Sequence, residues 1–326
     1  MNRKEFLATV AAWGGAALAA SAHLPMLETM ADEIIATERK SRNRKKDPSL
    51  VVLLADIHIC GELADGTPKH YPYNPVCLKL RIAEILSMRP LPAHVLVFGD
   101  VAWDYGLEED YRYAAQLLKE LEDAGIRVVL GLGNHDRRAA FFQVFPEYVQ
   151  ATPVPGRAVT VVELPHADIV MLDSLAEKPG LKLRQSTTVS GELDEEQVTW
   201  LQKFLDGRTR PVILGAHHPL GEMKNLVKIV TGAPAVKGYV YGHLHSWDKQ
   251  AYIIRPRKHL HMVPTVGLPA TFYGDIGFAV LRITPQAAEF EYSSKGFWWP
   301  QPVEDPPEEW KVRAEDLTHE KCRFLL

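Results

Sequence analysis

Five short apolar runs, each ending in residues that can bind a metal, constrain this chain more than any other feature. The runs are Leu50–Ala55, His94–Phe98, Val128–Leu132, Val212–Ala216 and, more weakly, Val236–Tyr241. Runs of this length, rich in β-branched residues, suit strands buried on both faces of a sheet. Between them, apolar spacing predicts helices at about 76–88, 108–124, 138–148, 194–206 and 222–231. Asp194, followed by Glu195 and Glu196, gives the fourth helix an N-cap and an acidic first turn. Alternation of strand and helix implies an α/β fold with buried sheet strands. Two stretches break the alternation. Arg157–Leu164 and Asp168–Leu172 read as a hairpin, and 250–255, 258–263, 277–284 and 287–293 read as successive strands that build a second sheet.

The residues after the runs carry the chemistry. Asp56-Ile57-His58 follows the first, Gly99-Asp100 the second, and Gly133-Asn134-His135-Asp136 the third. His217-His218-Pro219 follows the fourth and Gly242-His243-Leu244-His245 the fifth. The carboxyl ends of strands in an open α/β sheet lie along one edge, where ligands bind, so five distant loops converge on one crevice. The one-residue spacers in Asp56-x-His58 and His243-x-His245 point both side chains to the same side of an extended segment. Gly99, Gly133 and Gly242 allow positive φ and close backbone approach to a metal. Each motif alone is common in ordinary turns; their ordered placement directly after strands is what points to a site. Carboxylate, amide and imidazole ligands without thiolate suit Zn, Mn, Fe or Co in a hydrolytic centre.

Composition removes other classes. The chain has 326 residues, 46% hydrophobic and 24% charged, which excludes a disordered or multi-pass membrane protein. With 37 basic and 41 acidic residues the formal charge is −4, which argues against long nucleic acid as a substrate. Cys60, Cys77 and Cys322 form no CxxC; free thiols are expected, with a Cys60–Cys77 bridge as the alternative.

The ordered set D-x-H, G-D, G-N-H-D, a His before Pro and G-H-x-H resembles the calcineurin-like metallophosphoesterase superfamily, over about residues 50–250. The resemblance implies a four-layer α/β/β/α sandwich of two mixed sheets flanked by helices, with a dinuclear metal centre. It implies that Asp56, His58 and His245 hold one metal, that Asn134, His217 and His243 hold the other, and that Asp100 bridges them. His135 then resembles the family's leaving-group proton donor, with Asp136 orienting its ring. Arg138 completes G-N-H-D-x-R, as in the cyclic-nucleotide phosphodiesterase branch; a surface or helix-start arginine is the structural alternative. His218 is left over, to contact substrate or to pack. Asp104, Tyr105 and Gly106 are candidates for the pocket rim, and Trp247 for stacking on an apolar or aromatic leaving group, with core packing as the favoured alternative. The implied reaction is hydrolysis of a small phosphate monoester or diester by metal-bound hydroxide. The alternative is a non-catalytic scaffold that keeps the fold and uses the metal face for binding.

The ends read differently from the middle. Arg3 and Lys4, an uncharged stretch from Phe6 to Ala22 and Ala20-Ser21-Ala22 resemble a cleavable export signal, with Arg3-Lys4 standing where a twin-arginine signal has two arginines. The expected location is therefore periplasmic or extracellular, with no stable membrane span. Residues 23–49 read as a polar, partly helical leader ending in a solvated basic cluster. The domain is expected over 50–297, followed by an irregular tail over 298–326 packed on it.

Overall fold

The computed structural model describes residues 24–40, 44–61, 73–178, 180, 187–254, 261–272, 274–293, 297–298 and 319–326. The candidate export signal lies outside the described residues. Two six-stranded mixed sheets form the centre. In the first, β1 (Lys46–Leu54), β2 (Leu91–Val97) and β3 (Arg127–Leu130) run parallel. On the free edge of β1, β11 (Ala279–Ile283), β12 (Ala287–Ser293) and β14 (His319–Leu325) add antiparallel. The second sheet has the order β4 (Thr160–Glu163), β5 (Asp168–Met171), β6 (Val212–Gly215), β7 (Val236–Tyr241), β9 (His261–Gly267) and β8 (Asp248–Ile254). Its four inner strands are parallel and its two outer pairs antiparallel. A short pair, β10 (Gly274–Asp275) and β13 (Phe297–Trp298), stands apart.

Strand β1 shows why the apolar runs are continuous. Val52 and Leu54 face helices, whereas Val51 and Leu53 face the second sheet, so successive side chains enter different buried layers. Helices α1 (Leu24–Arg39), α2 (Tyr73–Leu86), α3 (Glu108–Asp123) and α4 (Arg138–Val144) cover the first sheet through Leu27, Leu78, Leu118 and Phe141, with α5 (Glu147–Ala151) following α4. Between the sheets, Leu96 and Phe98 pack with Ile169, Met171 and Val240. Helices α6 (Glu195–Leu205) and α7 (Lys224–Thr231) cover the other face through Leu201 and Leu226. Asp194 caps α6, its Oδ1 accepting from Gln197 N at 2.8 Å. The result is the expected α/β/β/α sandwich.

Three expectations change. The strands after 248 do not build one sheet: β8 and β9 complete the second, whereas β11 and β12 join the first beside β1. The described part of the strand expected at 258–263 is β9 from His261, and 258–260 lie outside the described residues. The leader is not a solvated linker. Leu27, Ala31 and Ile35 of α1 are buried in the core, and Arg44 donates to Glu38 Oε2 at 2.8 Å and Met88 O at 2.6 Å, so part of the basic cluster clamps α1 down. The tail is not irregular to its end, because β14 pairs along the whole of β12 and buries Phe324 between the sheets. Cys60, Cys77 and Cys322 are free thiols. Among the described residues no helix is long and apolar enough to cross a membrane.

Candidate metal centre

The loops after β1, β2, β3, β6 and β7 meet at one edge, as the run-and-motif pattern requires. Asp56, His58 and His245 offer ligand atoms all within 4.8 Å of one another. Asp56, Asp100 and His217 form a second such group, His217, His218 and His243 a third, and His58, Asp100 and His135 a fourth. Asp100 joins the two sides: its Oδ2 lies 3.6 Å from His58 Nε2 and 3.1 Å from His217 Nε2. Asn134 reaches the same centre, with Oδ1 3.2 Å from His217 Nε2.

The local backbone is unusual. Asp56, His58, Asp100, His243 and His245 all have φ between 42° and 67°. Non-glycine residues in the left-handed region cost about 1–3 kcal/mol each, and they persist where surrounding structure over-determines them. The spacer argument is thereby corrected: these pairs are not extended, and His243 and His245 diverge, one towards His217 and the other towards Asp56. Gly99 has φ 80°, as expected. Gly242 instead serves close approach, because a Cβ there would come within 2.6 Å of Asp56 Oδ2.

Asp56 and Asp100 are almost wholly buried, and their ion-pair partners among the described residues are histidines, not Lys or Arg. Buried carboxylates require pairing or a metal. Burial opposes their ionisation, but the imidazoles outweigh it and hold both below the usual carboxylate range. Burial opposes protonation of His217 as well, but the Asp100 and Asp56 carboxylates raise it to about 10. Burial and neighbouring imidazoles push His58 and His243 down to about 4, which keeps their lone pairs available. The donor set fits two divalent cations. Backbone carbonyls behind the rings orient it: His58 Nδ1 lies 3.1 Å from Trp103 O, and His217 Nδ1 2.9 Å from Phe98 O.

Other expected site residues fall as follows. His135 lies beside the centre, its ring 4.8 Å from that of His58 and its backbone N–H donated to Asp100 Oδ1 at 2.8 Å. Asp136 does not orient it. The buried Asp136 carboxylate accepts from the backbone N–H groups of Val101, Ala102 and Gly133 and from the Tyr111 hydroxyl, and so ties two site loops together. Apart from Asp100, the carboxylate that faces the His135 ring is Asp104, with Oδ1 3.6 Å from Nδ1. Arg138 takes the helix-start alternative: it starts α4, and its mostly buried side chain pairs with Asp173 at 2.7 Å and Glu177 at 2.8 Å. Trp247 stacks on Tyr292, with ring centroids 5.0 Å apart, and serves packing. Sequence reasoning missed Asp173 and Ser174. Both follow the apolar strand β5 directly, the signal that marked the other loops.

Comparison with known proteins fits this geometry. The calcineurin-like phosphoesterase family model matches residues 49–247. A probable cyclic nucleotide phosphodiesterase of Rhodopseudomonas palustris is 34% identical over 173 residues, 52% of this chain and 56% of that protein. The chain thus spans about half the length of that relative. A dimetal phosphatase from Danio rerio has the same fold, with a TM-score of 0.56 at 15% identity over 75% of this chain and 96% of that one. PhoD gives 0.51 at 12% identity over 76% and 66%. The family match opens within β1 and closes just past His245, so it takes in every loop that meets at the centre, and the chain belongs to the calcineurin-like phosphoesterase family.

Proposed function

We propose that this protein is a two-metal hydrolase of small phosphodiesters, with cyclic nucleotides as the first substrates to test. Asp100, set between two groups of buried imidazoles, is the observation that carries the reading. Asp56, His58 and His245 would hold one ion, and Asn134, His217 and His243 the other. Bound there, such ions supply an activated water and neutralise phosphoryl charge.

The remaining steps belong to the chain. His135 is partly exposed, with a third of its side chain open to solvent, and stands where it can protonate the departing oxygen. Preference for a diester follows from charge. A dianionic monoester gains more than a diester from cations beside the metals, and among the described residues Arg137 and Arg138, next to the GNHD loop, are engaged by the protein itself. Arg138 pairs with Asp173 and Glu177, and Arg137 donates to Asn134 O and Asp136 O. A singly charged diester depends less on such cations. The name of the Rhodopseudomonas relative points the same way.

The test compares metal-loaded protein on bis(p-nitrophenyl) phosphate, 3′,5′-cyclic AMP and p-nitrophenyl phosphate. Diester turnover should exceed monoester turnover. Protein that binds two metals and hydrolyses none of them overturns the reading in favour of a binding scaffold, and turnover of the monoester alone overturns the diester preference.

We also propose that the chain is exported. The N-terminal pattern supports this, and α1 begins at Leu24, so cleavage after Ala22 leaves every described element intact.

A further inference from the structure

His218 was left without a role by the motif pattern, yet it is wholly buried against the second group of ligands. Its ring centroid lies 4.9 Å from that of His217 and 4.9 Å from that of His243. One nitrogen from each of the three imidazoles lies within 4.8 Å of the others. His218 Nδ1 is 2.8 Å from Ser174 Oγ, whereas its buried Nε2 has no hydrogen-bond partner among the described residues.

The pattern repeats that of the neighbouring ligands. His58 and His217 each commit Nδ1 to an oxygen, Trp103 O and Phe98 O, and present Nε2 to the centre. A metal-ligating imidazole characteristically donates its other N–H to such a partner, which sets the tautomer and the ring direction. Ser174 Oγ does this for His218. It is itself placed by the His218 backbone N–H at 3.4 Å and sits next to Asp173, which the Arg138 ion pair anchors. Gly191 closes the Nδ1 side, where a Cβ would come within 2.5 Å of that nitrogen.

We propose that His218 is a metal ligand of the second site through Nε2, held by Ser174. This rests on the two-metal reading above. The second site then has three imidazoles, whereas the first has two imidazoles and the Asp56 carboxylate, so the second is the more nitrogen-rich. The competing arrangement is a structural histidine held by the Val189 carbonyl, which also faces this ring.

Proton NMR of the Co(II)-loaded full chain decides between them. Each imidazole bound to paramagnetic Co(II) keeps one exchangeable ring N–H that is strongly shifted and disappears in D2O. The proposal expects five such signals, from His58, His217, His218, His243 and His245. His218→Gln should show four, with affinity for the second Co(II) lowered at least tenfold and the first site unchanged. Ser174→Ala should keep five, with the fifth in faster exchange. Four signals in the wild-type protein at two Co(II) per chain overturn the proposal while sparing the two-metal reading. Uptake of a single Co(II) overturns both.

Discussion

Asp104 Oδ1 stands 3.6 Å from His135 Nδ1, whereas Asp136, the next residue along the chain, turns its carboxylate into the protein. The two carboxylates therefore have different consequences. Asp104 and His135 side chains are 40% and 34% exposed, and an ion pair so open to water contributes about 0.2–1 kcal/mol. Asp104→Asn should lower turnover by at most about fivefold, with metal content unchanged. His135→Asn should also retain metal but lose roughly 10²–10⁴-fold, the usual contribution of a positioned general acid. The loss should be largest for alkyl leaving groups and small for nitrophenyl esters. Equal losses on both would assign His135 to phosphoryl binding instead.

Asp136→Ala should behave as a structural variant. It strips an acceptor from three backbone N–H groups and from the Tyr111 hydroxyl, all held in the interior. An unsatisfied buried donor costs about 1–3 kcal/mol, so thermal or denaturant unfolding should show a loss of at least that size. Unchanged stability would mean that the loops after β2 and β3 do not depend on this carboxylate.

Arg138→Ala tests whether the arginine serves substrate or scaffold. Its side chain is 11% exposed and Asp173 is 0% exposed, so removal leaves a buried charge without its main partner. Breaking such a pair costs about 3–5 kcal/mol. The variant should unfold at lower denaturant concentration, while KM of the folded fraction stays near the wild-type value. A large rise in KM with stability intact would return Arg138 to the substrate.

The C-terminal strand is expected to be integral. Phe324 is buried between the sheets, 4.6 Å from the Phe290 ring. Phe324→Ala should cost about 3–5 kcal/mol, read by denaturant titration. If β14 were a loose appendage, truncation at residue 318 would leave stability unchanged.

Export makes a prediction about the first described helix. Protein recovered from the periplasm should begin near His23, one residue before α1, and keep the stability of the uncleaved chain. An N-terminus within 24–40 would remove buried Leu27, Ala31 or Ile35 and is not expected; Met1 intact on periplasmic protein would contradict cleavage.

Much of this molecule was legible because its strands are buried on both faces and its ligands follow them directly. Leu50–Ala55 followed by Asp56 and His58 needs only local pattern to be read. Pairing is different: nothing local tells that β11 lies antiparallel to β1 while β9 lies parallel to β7. Strand β14 hid because an edge strand carries charge, here Glu320, Lys321 and Arg323, around one buried Phe324. The leader read as partly helical, but the burial of α1 on the core was hidden because Glu28, Asp32 and Glu33 make its outer face polar. Asp136 was given the orienting role and Asp104 only the pocket rim because adjacency in sequence is a poor guide where each loop residue turns the backbone. Ser174 was overlooked because β5 read as half of a hairpin rather than as a sixth strand delivering polar residues.

Asp100 as the link between two metal sites is the central claim, and electron paramagnetic resonance of Mn(II)-loaded protein tests it most directly. The wild-type chain should bind close to two Mn(II) with the spectrum of an exchange-coupled pair, and Asp100→Ala should lose that coupling together with most of the metal. One Mn(II) per chain, or two that give independent signals in the wild-type protein, would contradict the account.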